Sequence, residues 1–460
     1  MTDPIHHHAQ ARPTEPALVT AQRRWTWAEV DARVGATARR LVEQPHGVAA
    51  VVRPSPAAVL LVWAALRAGV RLVPLSPRWP PSALSEALDR LGLDHVVTDD
   101  PALDLPATVS LARLTAPGDS QGPVGALDLT RPFTVVHTSG TSGEPKAAEH
   151  TVGAHVASAR GLASQIPLAR DDRWLLDLPL AHVGGLGVVV RCALAGAAVA
   201  IPDRGMSLVD AVQTLAVTHA SLVSTQLVRL LREERTAPGL RAILLGGSAM
   251  PSGVLDEAHA RGLPVATSYG MTEMTSTVTA TPPGAGREAL ATSGTVLPGR
   301  DLRLVAGEIQ VRGATLFSGY RTAAGLERSL TADGWFATGD LGRLDEASRL
   351  VVGGRRGLQF VSGGENVQPE AIERALAALP GVAEAVVVPI PDEEFGARPV
   401  AFVRPRGEHL PPASDLATGL RRTLPSFMVP VAFHPWDGAG DLKPDRPALM
   451  QRAQAEHRPA

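Results

Sequence analysis

The sequence predicts an α/β protein: a large N-terminal domain of parallel-rich sheets with helices plus a β-rich subdomain, followed by a small mobile α+β C-terminal domain. Strand-like and helical apolar segments alternate over the first 250 residues, as in strand Val48–Val52, helix Pro56–Ala68 and strand Val70–Leu75. Such alternation is typical of parallel sheets with helices on their faces. After Gly294 short strands and turns replace it, which predicts the β-rich subdomain.

A capped helix opens the predicted N-terminal domain. Thr26 is its N-cap, Glu29 completes a capping box, and apolar residues recur at helical spacing through Leu41. The later predicted elements are strand Phe133–His137, strand Ala197–Ile201, helix Ser207–Ala216, strand Ala220–Val223, helix Gln226–Arg232, strand Ala242–Leu245 and β segments Val305–Val311, Leu316–Tyr320 and Gly339–Leu344.

The chain length and a glycine-rich segment predict two domains. A chain of 460 residues exceeds the size at which a single core keeps growing. Gly353–Gly357 is a plausible hinge, so we place the N-terminal domain at 1–355 and the C-terminal domain at 356–460. The second domain is predicted to contain helix Pro369–Leu379, strands Ala383–Pro389 and Pro399–Arg404, and helix Ser414–Thr423.

Composition excludes several functional classes. The formal net charge of −2 gives no electrostatic case for nucleic acid or an anionic membrane as a partner. The sole cysteine, Cys192, excludes an internal disulfide and favours a cytoplasmic location. We expect no membrane helix, since Ala57–Leu66 is too short and Arg191 interrupts Val183–Ile201. The N-terminus lacks a signal core, and we expect its three histidines to lie in a flexible tail.

Two lysines stand out in a chain that otherwise uses arginine. Lys146 and Lys443 are the only lysines among 44 basic residues. Arginine cannot replace the compact ammonium of lysine, so both are candidates for chemistry. Lys146 ends the Ser/Thr/Gly loop Thr138–Lys146, which directly follows an apolar strand. Small residues, hydroxyls and a cation predict a phosphate-binding loop; a mobile polar turn is the alternative.

This loop and six further motifs resemble the acyl-adenylate-forming superfamily, which includes acyl- and aryl-CoA ligases, luciferases and peptide-synthetase adenylation domains. The other motifs, in the family's order, are Ser268–Glu273, Gly307–Ile309 with Gly319–Tyr320, Gly334–Asp340, Gly354–Arg355, Ser362–Asn366 and Lys443–Arg446. They span most of the chain. Three positions depart from the pattern: Ala147 and Leu442 stand where glycine is usual, and Gly357 stands at the hinge position where relatives often carry Asp, Lys or Ser.

The resemblance implies a two-step reaction that uses ATP, Mg²⁺ and coenzyme A. A carboxylate attacks the α-phosphate of ATP to give an acyl-adenylate and pyrophosphate, and a thiol then displaces AMP. Bringing two anions together requires positioned cations and hydrogen-bond donors. The small domain is expected to swing between the two steps.

The resemblance also implies roles for individual residues. Lys443, Thr272, Glu273 and His182 are the expected catalytic residues, with Glu273 as the Mg²⁺ ligand and Lys443 between the carboxylate and the α-phosphate. The expected nucleotide-binding residues are Thr138, Ser139, Gly140, Thr141, Ser142, Gly143 and Lys146 at the phosphates, Tyr269 and Gly270 with Gly246, Gly247 and Ser248 at the adenine, and Asp340 and Arg355 at the ribose. Ser362, Gly363 and Gly364 are expected to face coenzyme A. Structural alternatives are an N-cap or salt bridge for Glu273 and an Asx turn for Asp340.

The identity of the acid substrate is predicted from weaker sequence signals than the class of enzyme. The expected acyl pocket includes His182, Arg191, Thr225 and Ser248. The segments 222–231, 244–251 and 361–366 and the short chain resemble the o-succinylbenzoate–CoA ligases of menaquinone biosynthesis. That acid has a second carboxylate, for which Arg191 is a candidate partner. A buried hydrogen-bonded histidine is the alternative for His182, and a helix-surface arginine the alternative for Arg191.

Other functions stay open at this point. Within the class, another aryl- or acyl-CoA ligase or a stand-alone adenylation enzyme that loads a carrier protein is possible. A function from a different class also stays open, that of a non-enzymatic acyl- or nucleotide-binding relative, although the retention of both lysines disfavours it. The expected partners are small molecules, and the oligomeric state is open between monomer and homodimer.

Overall fold

The structure, a computed structural model, describes residues 1–43, 47–100, 103, 105, 108–118, 125–139, 145–233, 235, 237–247, 250, 252–355, 359–407, 409–436 and 446–457. Its helices are α1 (Pro4–Ala11), α2 (Trp27–Leu41), α3 (Pro56–Ala68), α4 (Pro81–Leu91), α5 (Leu111–Leu114), α6 (Val152–Ala163), α7 (Val183–Ala195), α8 (Leu208–Leu215), α9 (Ser224–Arg232), α10 (Ser252–Ala260), α11 (Arg287–Leu290), α12 (Pro369–Ala377), α13 (Ala413–Arg421) and α14 (Arg446–Glu456). Short 3-10 turns lie at Thr272–Met274 and Ser426–Met428.

The strands are short, as expected for an α/β chain. They are β1 (Pro16–Val19), β2 (Arg24–Thr26), β3 (Val48–Val51), β4 (Leu72–Leu75), β5 (Val96–Thr98), β6 (Thr108–Ser110), β7 (Pro132–Ser139), β8 (Pro145–Thr151), β9 (Arg173–Leu175), β10 (Ala198–Ala200), β11 (His219–Leu222), β12 (Ala242–Leu245), β13 (Val265–Met271), β14 (Ser276–Ala280), β15 (Thr295–Val296), β16 (Arg300–Val305), β17 (Glu308–Gly313), β18 (Gly319–Thr322), β19 (Gly325–Glu327), β20 (Phe336–Leu344), β21 (Leu350–Arg355), β22 (Phe360–Ser362), β23 (Glu365–Val367), β24 (Val382–Asp392), β25 (Gly396–Pro405) and β26 (Ala432–Pro435).

Two large sheets form the N-terminal part. One has the order β15-β14-β13-β12-β11-β9-β10-β1-β2 and the other β19-β18-β8-β7-β4-β3-β5-β6. Their central strands pair in parallel, and antiparallel strands lie at both edges of the nine-stranded sheet and at one edge of the eight-stranded sheet. Helices must cover both faces of such strands, and this explains their continuous apolar sequences. The predicted parallel-rich α/β class is therefore confirmed.

Helices α2, α3, α6 and α7 belong to the main hydrophobic core together with residues from both large sheets. Trp27 of α2 and Trp63 of α3 stack there with ring centroids 5.8 Å apart, and both are fully buried. A second core covers the other face of the nine-stranded sheet with α8, α9 and α10, and a third places α4 against the eight-stranded sheet. The helices between the sheets therefore fix the sheets relative to each other.

The β-rich subdomain is a sheet in the order β16-β17-β20-β21. The C-terminal part contains the hairpin β22-β23 and the sheet β24-β25-β26, with α12 and α13 in one of its cores and α14 in the other. These sheets are separate from the two large sheets of the N-terminal part. The expected boundary at 355/356 falls where residues 356–358 lie outside the described part, so it stays a prediction.

Some local predictions are confirmed and others are wrong. The capping box of α2 is present, and α3 has the predicted bounds. Val305–Val311 is not one strand, because Ala306 and Gly307 have positive φ angles of 49° and 79° and turn the chain into a hairpin. In 316–320, only Gly319 and Tyr320 are in a strand, β18. Part of the expected hinge, 353–355, is in β21.

The N-terminal histidines do not lie in a flexible tail. They belong to α1, whose N-cap Asp3 accepts from the backbone of Ile5 and also pairs with buried Arg67 at 2.5 Å. His8 Nε2 donates to the carbonyl of Ala193 at 2.9 Å. These long-range contacts hold α1 against α3 and α7, and the sequence around the histidines carries no sign of them.

Candidate active site

The predicted phosphate loop connects two antiparallel strands. In the β7–β8 register Thr138 is opposite Lys146, and Ser139 is opposite Pro145. The predicted residues Gly140, Thr141, Ser142 and Gly143, and the side chain of Ser139, lie outside the described part. The hairpin therefore positions Thr138 and Lys146 at the two ends of the loop.

Lys146, Tyr320 and Glu273 come together at one point. Lys146 Nζ lies 5.0 Å from the ring centroid of Tyr320, and the Tyr320 hydroxyl donates to Glu273 Oε1 at 2.7 Å. Strand β18 pairs with β8 and holds the tyrosine there, while Glu273 is 8% exposed. A cation and a carboxylate thus flank one phenol. Sequence reasoning placed Tyr320 in the motif Gly319–Tyr320 but gave it no role.

The Glu273 carboxylate is suited to bind a magnesium ion. The only hydrogen bond that the Glu273 carboxylate accepts from the described residues goes to Oε1, which leaves Oε2 without such a bond. Mg²⁺ in nucleotide sites is held by one or two carboxylates together with phosphate oxygens, so a single protein ligand is sufficient. No cluster of three metal-binding side chains occurs among the described residues.

The turn that carries Thr272 and Glu273 is held in a strained conformation. Thr275 and Ser276 follow it with φ angles of 52° and 97°, which L-residues rarely adopt. The Thr275 hydroxyl donates to the carbonyl of Thr315 at 2.8 Å, and Ser158 Oγ donates to the carbonyl of Thr275 at 2.6 Å. Strain of about 1–3 kcal/mol per residue persists only where surrounding contacts enforce it, as these do.

Two buried histidines support the same turn. His150 Nε2 lies 2.7 Å from the carbonyl of Thr272, and because a carbonyl only accepts, this nitrogen carries the proton. His150 Nδ1 then accepts from the Thr134 hydroxyl at 3.3 Å, and His155 Nε2 donates to that hydroxyl at 2.8 Å. Burial lowers the pKa of His150 to about 4, so the ring is neutral. Sequence reasoning missed this relay, which joins β7, β8 and α6.

Asp340, Tyr269 and Arg355 form the predicted ribose end of the site. The Tyr269 hydroxyl donates to Asp340 Oδ2 at 2.7 Å, and Asp340 is directly opposite Arg355 in the β20–β21 register. The backbone N–H of Asp340 also donates to Thr338 Oγ1 at 3.0 Å. The side chain of Arg355 lies outside the described part. The structure brings Asp340 to the tyrosine expected at the adenine.

The predicted glycines have structural reasons of their own. A Cβ on Gly270 would lie 2.3 Å from the carbonyl oxygen of Ser276, so no other residue fits at this bulge between β13 and β14. Gly247 has a φ angle of +85°, and a Cβ on neighbouring Gly246 would approach Ser268 Oγ at 3.3 Å. Ser248 lies outside the described residues.

His182 joins the two parts of the chain. Its Nε2 lies 3.1 Å from the carboxylate of Glu365, which also accepts from Arg78 at 3.2 Å. Burial of Glu365 opposes its ionisation, yet the hydrogen bond from His182 and the charges of His182 and Arg78 hold its pKa below the ordinary value. The His182 side chain is 41% exposed, so the alternative of a buried histidine is wrong.

The predicted coenzyme A loop lies at this junction. Strand β22 ends at Ser362, which is fully buried, and Gly363 and Gly364 turn with φ angles of +59° and +81°. A Cβ on Gly364 would lie 2.9 Å from Val223 Cγ1, and the Gly363 N–H donates to the Phe395 carbonyl at 2.9 Å. The loop therefore approaches Val223, the N-cap of helix α9, which carries the predicted acyl-pocket residue Thr225.

Arg191 is a buried cation without an anion. It is 6% exposed, its guanidinium lies 4.3 Å from the Trp174 ring centroid, and its Nε and Nη1 have no hydrogen-bond partner in the part of the chain that the structure describes. No carboxylate of the described residues pairs with it, and burial lowers its pKa to about 10. The alternative of a helix-surface arginine is wrong. The side chain of Thr225 lies outside the described part, although its helix is held by Gln226, which donates to Asp177 at 2.6 Å.

Lys443 belongs to residues 437–445, which lie outside the described part, so its predicted position stays untested. Within the described ranges, the helices are too short or too polar to cross a membrane.

Comparison with known protein families agrees with this geometry. Residues 5–321 match the family of AMP-binding enzymes, and residues 371–438 match the AMP-binding enzyme C-terminal domain. These matches cover more than half of the chain, so the protein belongs to the AMP-binding enzyme family.

Individual relatives show which members of the AMP-binding enzyme family this chain resembles. The chain is 36% identical over 461 aligned positions to the 2-succinylbenzoate–CoA ligase of Escherichia coli, with 98% of each chain covered. Its structure matches the o-succinylbenzoate CoA synthetase of Bacillus subtilis in complex with a CoA product analogue, with a TM-score of 0.87, 28% identity and 95% of each chain covered. The same Bacillus enzyme with its acyl-adenylate intermediate gives a TM-score of 0.73 at 27% identity, with 100% of this chain and 99% of that chain covered.

Proposed function

We propose that this protein is an ATP-dependent acid–CoA ligase that converts 2-succinylbenzoate to its CoA thioester in menaquinone biosynthesis. The observation that carries the proposal is buried Arg191, which pairs with no carboxylate of the described residues, in a chain of which 98% aligns with a 2-succinylbenzoate–CoA ligase. An acid with a second carboxylate supplies the anion that this arginine lacks. The convergence of Lys146, Tyr320 and Glu273 supports the ATP-dependent step.

In the first step, the protein brings a carboxylate to the α-phosphate of ATP. Lys146 places a cation at the outer phosphates, and Thr272 lies on the strained turn where the α-phosphate is expected. Glu273 would hold Mg²⁺, which would supply positive charge at the phosphates. Tyr320 orients the Glu273 carboxylate through its 2.7 Å hydrogen bond. Fixed charges and dipoles of this kind stabilise the developing negative charge without reorganisation. Lys443 is the proposed partner of the attacking carboxylate.

In the second step, the thiol of coenzyme A displaces AMP. The described arrangement of the two parts is closer to the product-analogue complex than to the acyl-adenylate complex of the same Bacillus enzyme, with TM-scores of 0.87 and 0.73. We assign the contact of His182 with Glu365 to this second pose. In it, the hydrogen bond turns His182 toward the small domain, and the Ser362–Gly364 loop lies against Val223.

The proposed acid site extends along α7. His182 is at its N-terminal end, and Arg191 lies nine residues further, which corresponds to about 13 Å along a helix. A carboxylate that reaches Arg191 gains charge-assisted hydrogen bonds in a dry environment, where they are strongest. Thr225 and Ser248 remain proposed contacts on the other side of the acid.

The experiment is a pyrophosphate-release assay with ATP, Mg²⁺ and a panel of acids, with and without coenzyme A. Turnover on 2-succinylbenzoate that requires coenzyme A is the expected result. Turnover on a different acid keeps the ligase and discards the substrate, and turnover with a carrier-protein thiol in place of coenzyme A identifies a carrier-loading enzyme. Silence with every acid, under conditions where the nucleotide binds, indicates a non-enzymatic relative.

The location and domain boundary complete the proposal. The single cysteine is buried and free, and ATP and coenzyme A are cytoplasmic substrates, so we place the protein in the cytoplasm. The residues Arg355 and Gly357 mark the proposed boundary, and glycine at the second position permits the large dihedral change of a hinge.

A further inference from the structure

The guanidinium of Arg191 folds back along α7 over a glycine. Its Nη2 lies 2.8 Å, and its Cζ 3.8 Å, from the point that a Cβ on Gly187 would occupy. Helical side chains lean toward the N-terminus of their helix, so a residue covers the position four places before it. The charge of Arg191 is therefore about one turn, or about 5.4 Å, closer to His182 than the Arg191 backbone is.

Gly187 leaves a space in α7 that the guanidinium uses. It is only partly buried, whereas its neighbours Leu186 and Val188 are 0% exposed. Apart from the backbone of α7 itself, the Arg191 guanidinium is the only group of the described residues that a Cβ on Gly187 would meet within 4 Å. At Gly185, by contrast, a Cβ would lie 2.3 Å from a backbone carbonyl oxygen. Close packing of the backbone therefore explains Gly185 but not Gly187.

A second surface against the guanidinium is the ring of Trp174. The guanidinium carbon lies 4.3 Å from the ring centroid, and the ring is fully buried. The indole N–H donates to Ser221 Oγ at 3.1 Å, and the ring stacks on His219 with centroids 5.0 Å apart. Trp174 and His219 are directly paired residues of β9 and β11. Because two strands fix the ring, the ring in turn fixes the plane of the arginine that stacks on it.

We propose that Gly187 and Trp174 are positioning residues that determine specificity for the second carboxylate of the acid. The inference rests on the proposed function, because it takes Arg191 as the partner of that carboxylate. Trp174 sets the plane of the guanidinium, and the missing side chain at Gly187 keeps the guanidinium on the side of α7 that leads to His182. A planar fork binds a carboxylate in a defined orientation, so a displacement of about 1 Å weakens recognition strongly.

The test measures kcat/KM for 2-succinylbenzoate and for the mono-acids 4-oxo-4-phenylbutanoate and 2-propanoylbenzoate in wild type and Gly187→Ala. The added methyl group displaces the guanidinium, so kcat/KM for the di-acid should fall at least about tenfold, and that for the mono-acid that wild type activates should change less than about twofold. The melting temperature should stay within a few degrees of wild type, because alanine favours a helix and only the end of a long side chain must move. An equal loss on both acids would overturn the inference.

Further variants separate positioning from packing. Trp174→Phe keeps an aromatic face but loses the hydrogen bond to Ser221, so its ratio of kcat/KM between di-acid and mono-acid should also fall. In the Arg191→Met background, Gly187→Ala should not change this ratio further, because no guanidinium remains to be displaced. The matched control is Gly184→Ala in the same helix, where a Cβ would meet only Leu178 Cδ1 at 3.2 Å among the described residues, and its ratio should equal that of wild type.

Wild-type turnover on 2-succinylbenzoate tests the proposed function by itself. If wild type uses this acid but Gly187→Ala and Trp174→Phe keep the wild-type ratio, the inference alone is overturned. If wild type does not use this acid, the proposed function and the inference both fail.

Discussion

Replacement of Arg191 by methionine is the sharpest test of the acid site, because activity and stability should change in opposite directions. The fall of the Arg191 pKa from 12.5 to about 10 corresponds to about 3 kcal/mol against the charged form in the folded protein. Its stacking on Trp174 returns up to about 2 kcal/mol. Without an anion, the charge therefore costs about 1 kcal/mol net, and Arg191→Met should raise the melting temperature by one or a few degrees.

The same change should abolish recognition of the second carboxylate. Loss of one partner of a buried ion pair costs about 3–5 kcal/mol, so kcat/KM for 2-succinylbenzoate should fall by at least about a hundredfold. Two mono-acids, 4-oxo-4-phenylbutanoate and 2-propanoylbenzoate, each lack one of its carboxylates. The mono-acid that wild type still activates should be used almost equally by wild type and Arg191→Met.

Arg300 is the matched control for stability. It is also 6% exposed with its pKa lowered by burial to about 10, but its guanidinium donates to the carbonyls of Thr277, Pro298 and Ser158. Arg300→Met leaves these acceptors unpaired and should lower the melting temperature. A destabilised Arg191→Met enzyme that loses activity equally on di-acid and mono-acid would show that Arg191 is structural, and our reasoning would be refuted.

The remaining predictions concern the two half-reactions and pH. Glu365→Gln should slow thioester formation about tenfold or more, whereas pyrophosphate release without coenzyme A should be unchanged. The control is Glu394→Gln, which breaks the exposed ion pair with Arg229. Equal loss of both half-reactions in Glu365→Gln would contradict the assigned pose. Lys443→Ala should strongly slow adenylation but leave thioester formation from supplied acyl-adenylate largely intact. Equal losses of the two half-reactions in stopped assays would contradict the role proposed for Lys443. His150→Ala should lower kcat for adenylation more than it raises the KM for ATP. His150→Gln should restore part of the activity, because glutamine retains a donor for the Thr272 carbonyl. If His150→Ala lowers stability without this difference between kcat and KM, the two histidines contribute only to packing. Burial depresses the pKa of His137 and His150 to about 4 in the folded protein, whereas both rings take up protons near pH 6.5 when the chain unfolds. The free energy of unfolding should therefore be highest above about pH 6.5 and should fall as the pH drops toward 4, by up to about 1.4 kcal/mol per pH unit for each ring. An unfolding free energy that stays constant between pH 6.5 and 4 in denaturant titrations would exclude this contribution of the two histidines.

Local signals predicted much of the fold. The capping box at Thr26 and Glu29 and the apolar run of α3 fix those helices through neighbouring residues alone, and both have the expected bounds. The error at Val305–Val311 has the opposite cause, since apolar alternation continues across a turn that depends on the left-handed conformation of Ala306 and Gly307. The helix that contains the N-terminal histidines has a local start signal, with Asp3 as N-cap and Pro4 at the first helical position, but its contacts with distant segments are not visible in that pattern.

The sequence by itself determined the class of this protein, because phosphate-binding loops, turn glycines and the two lysines are local features that recur in order along the chain. Tertiary structure alone decided which of these residues meet. Tyr320 reaches Glu273 across 47 residues, His182 reaches Glu365 across 183, and Arg78 reaches the same carboxylate across 287. The burial of Arg191 is likewise invisible in its own segment, because the ring beneath it comes from β9. Motifs specify chemistry through residue type, whereas distance, burial and charge compensation arise only when separate elements pack together.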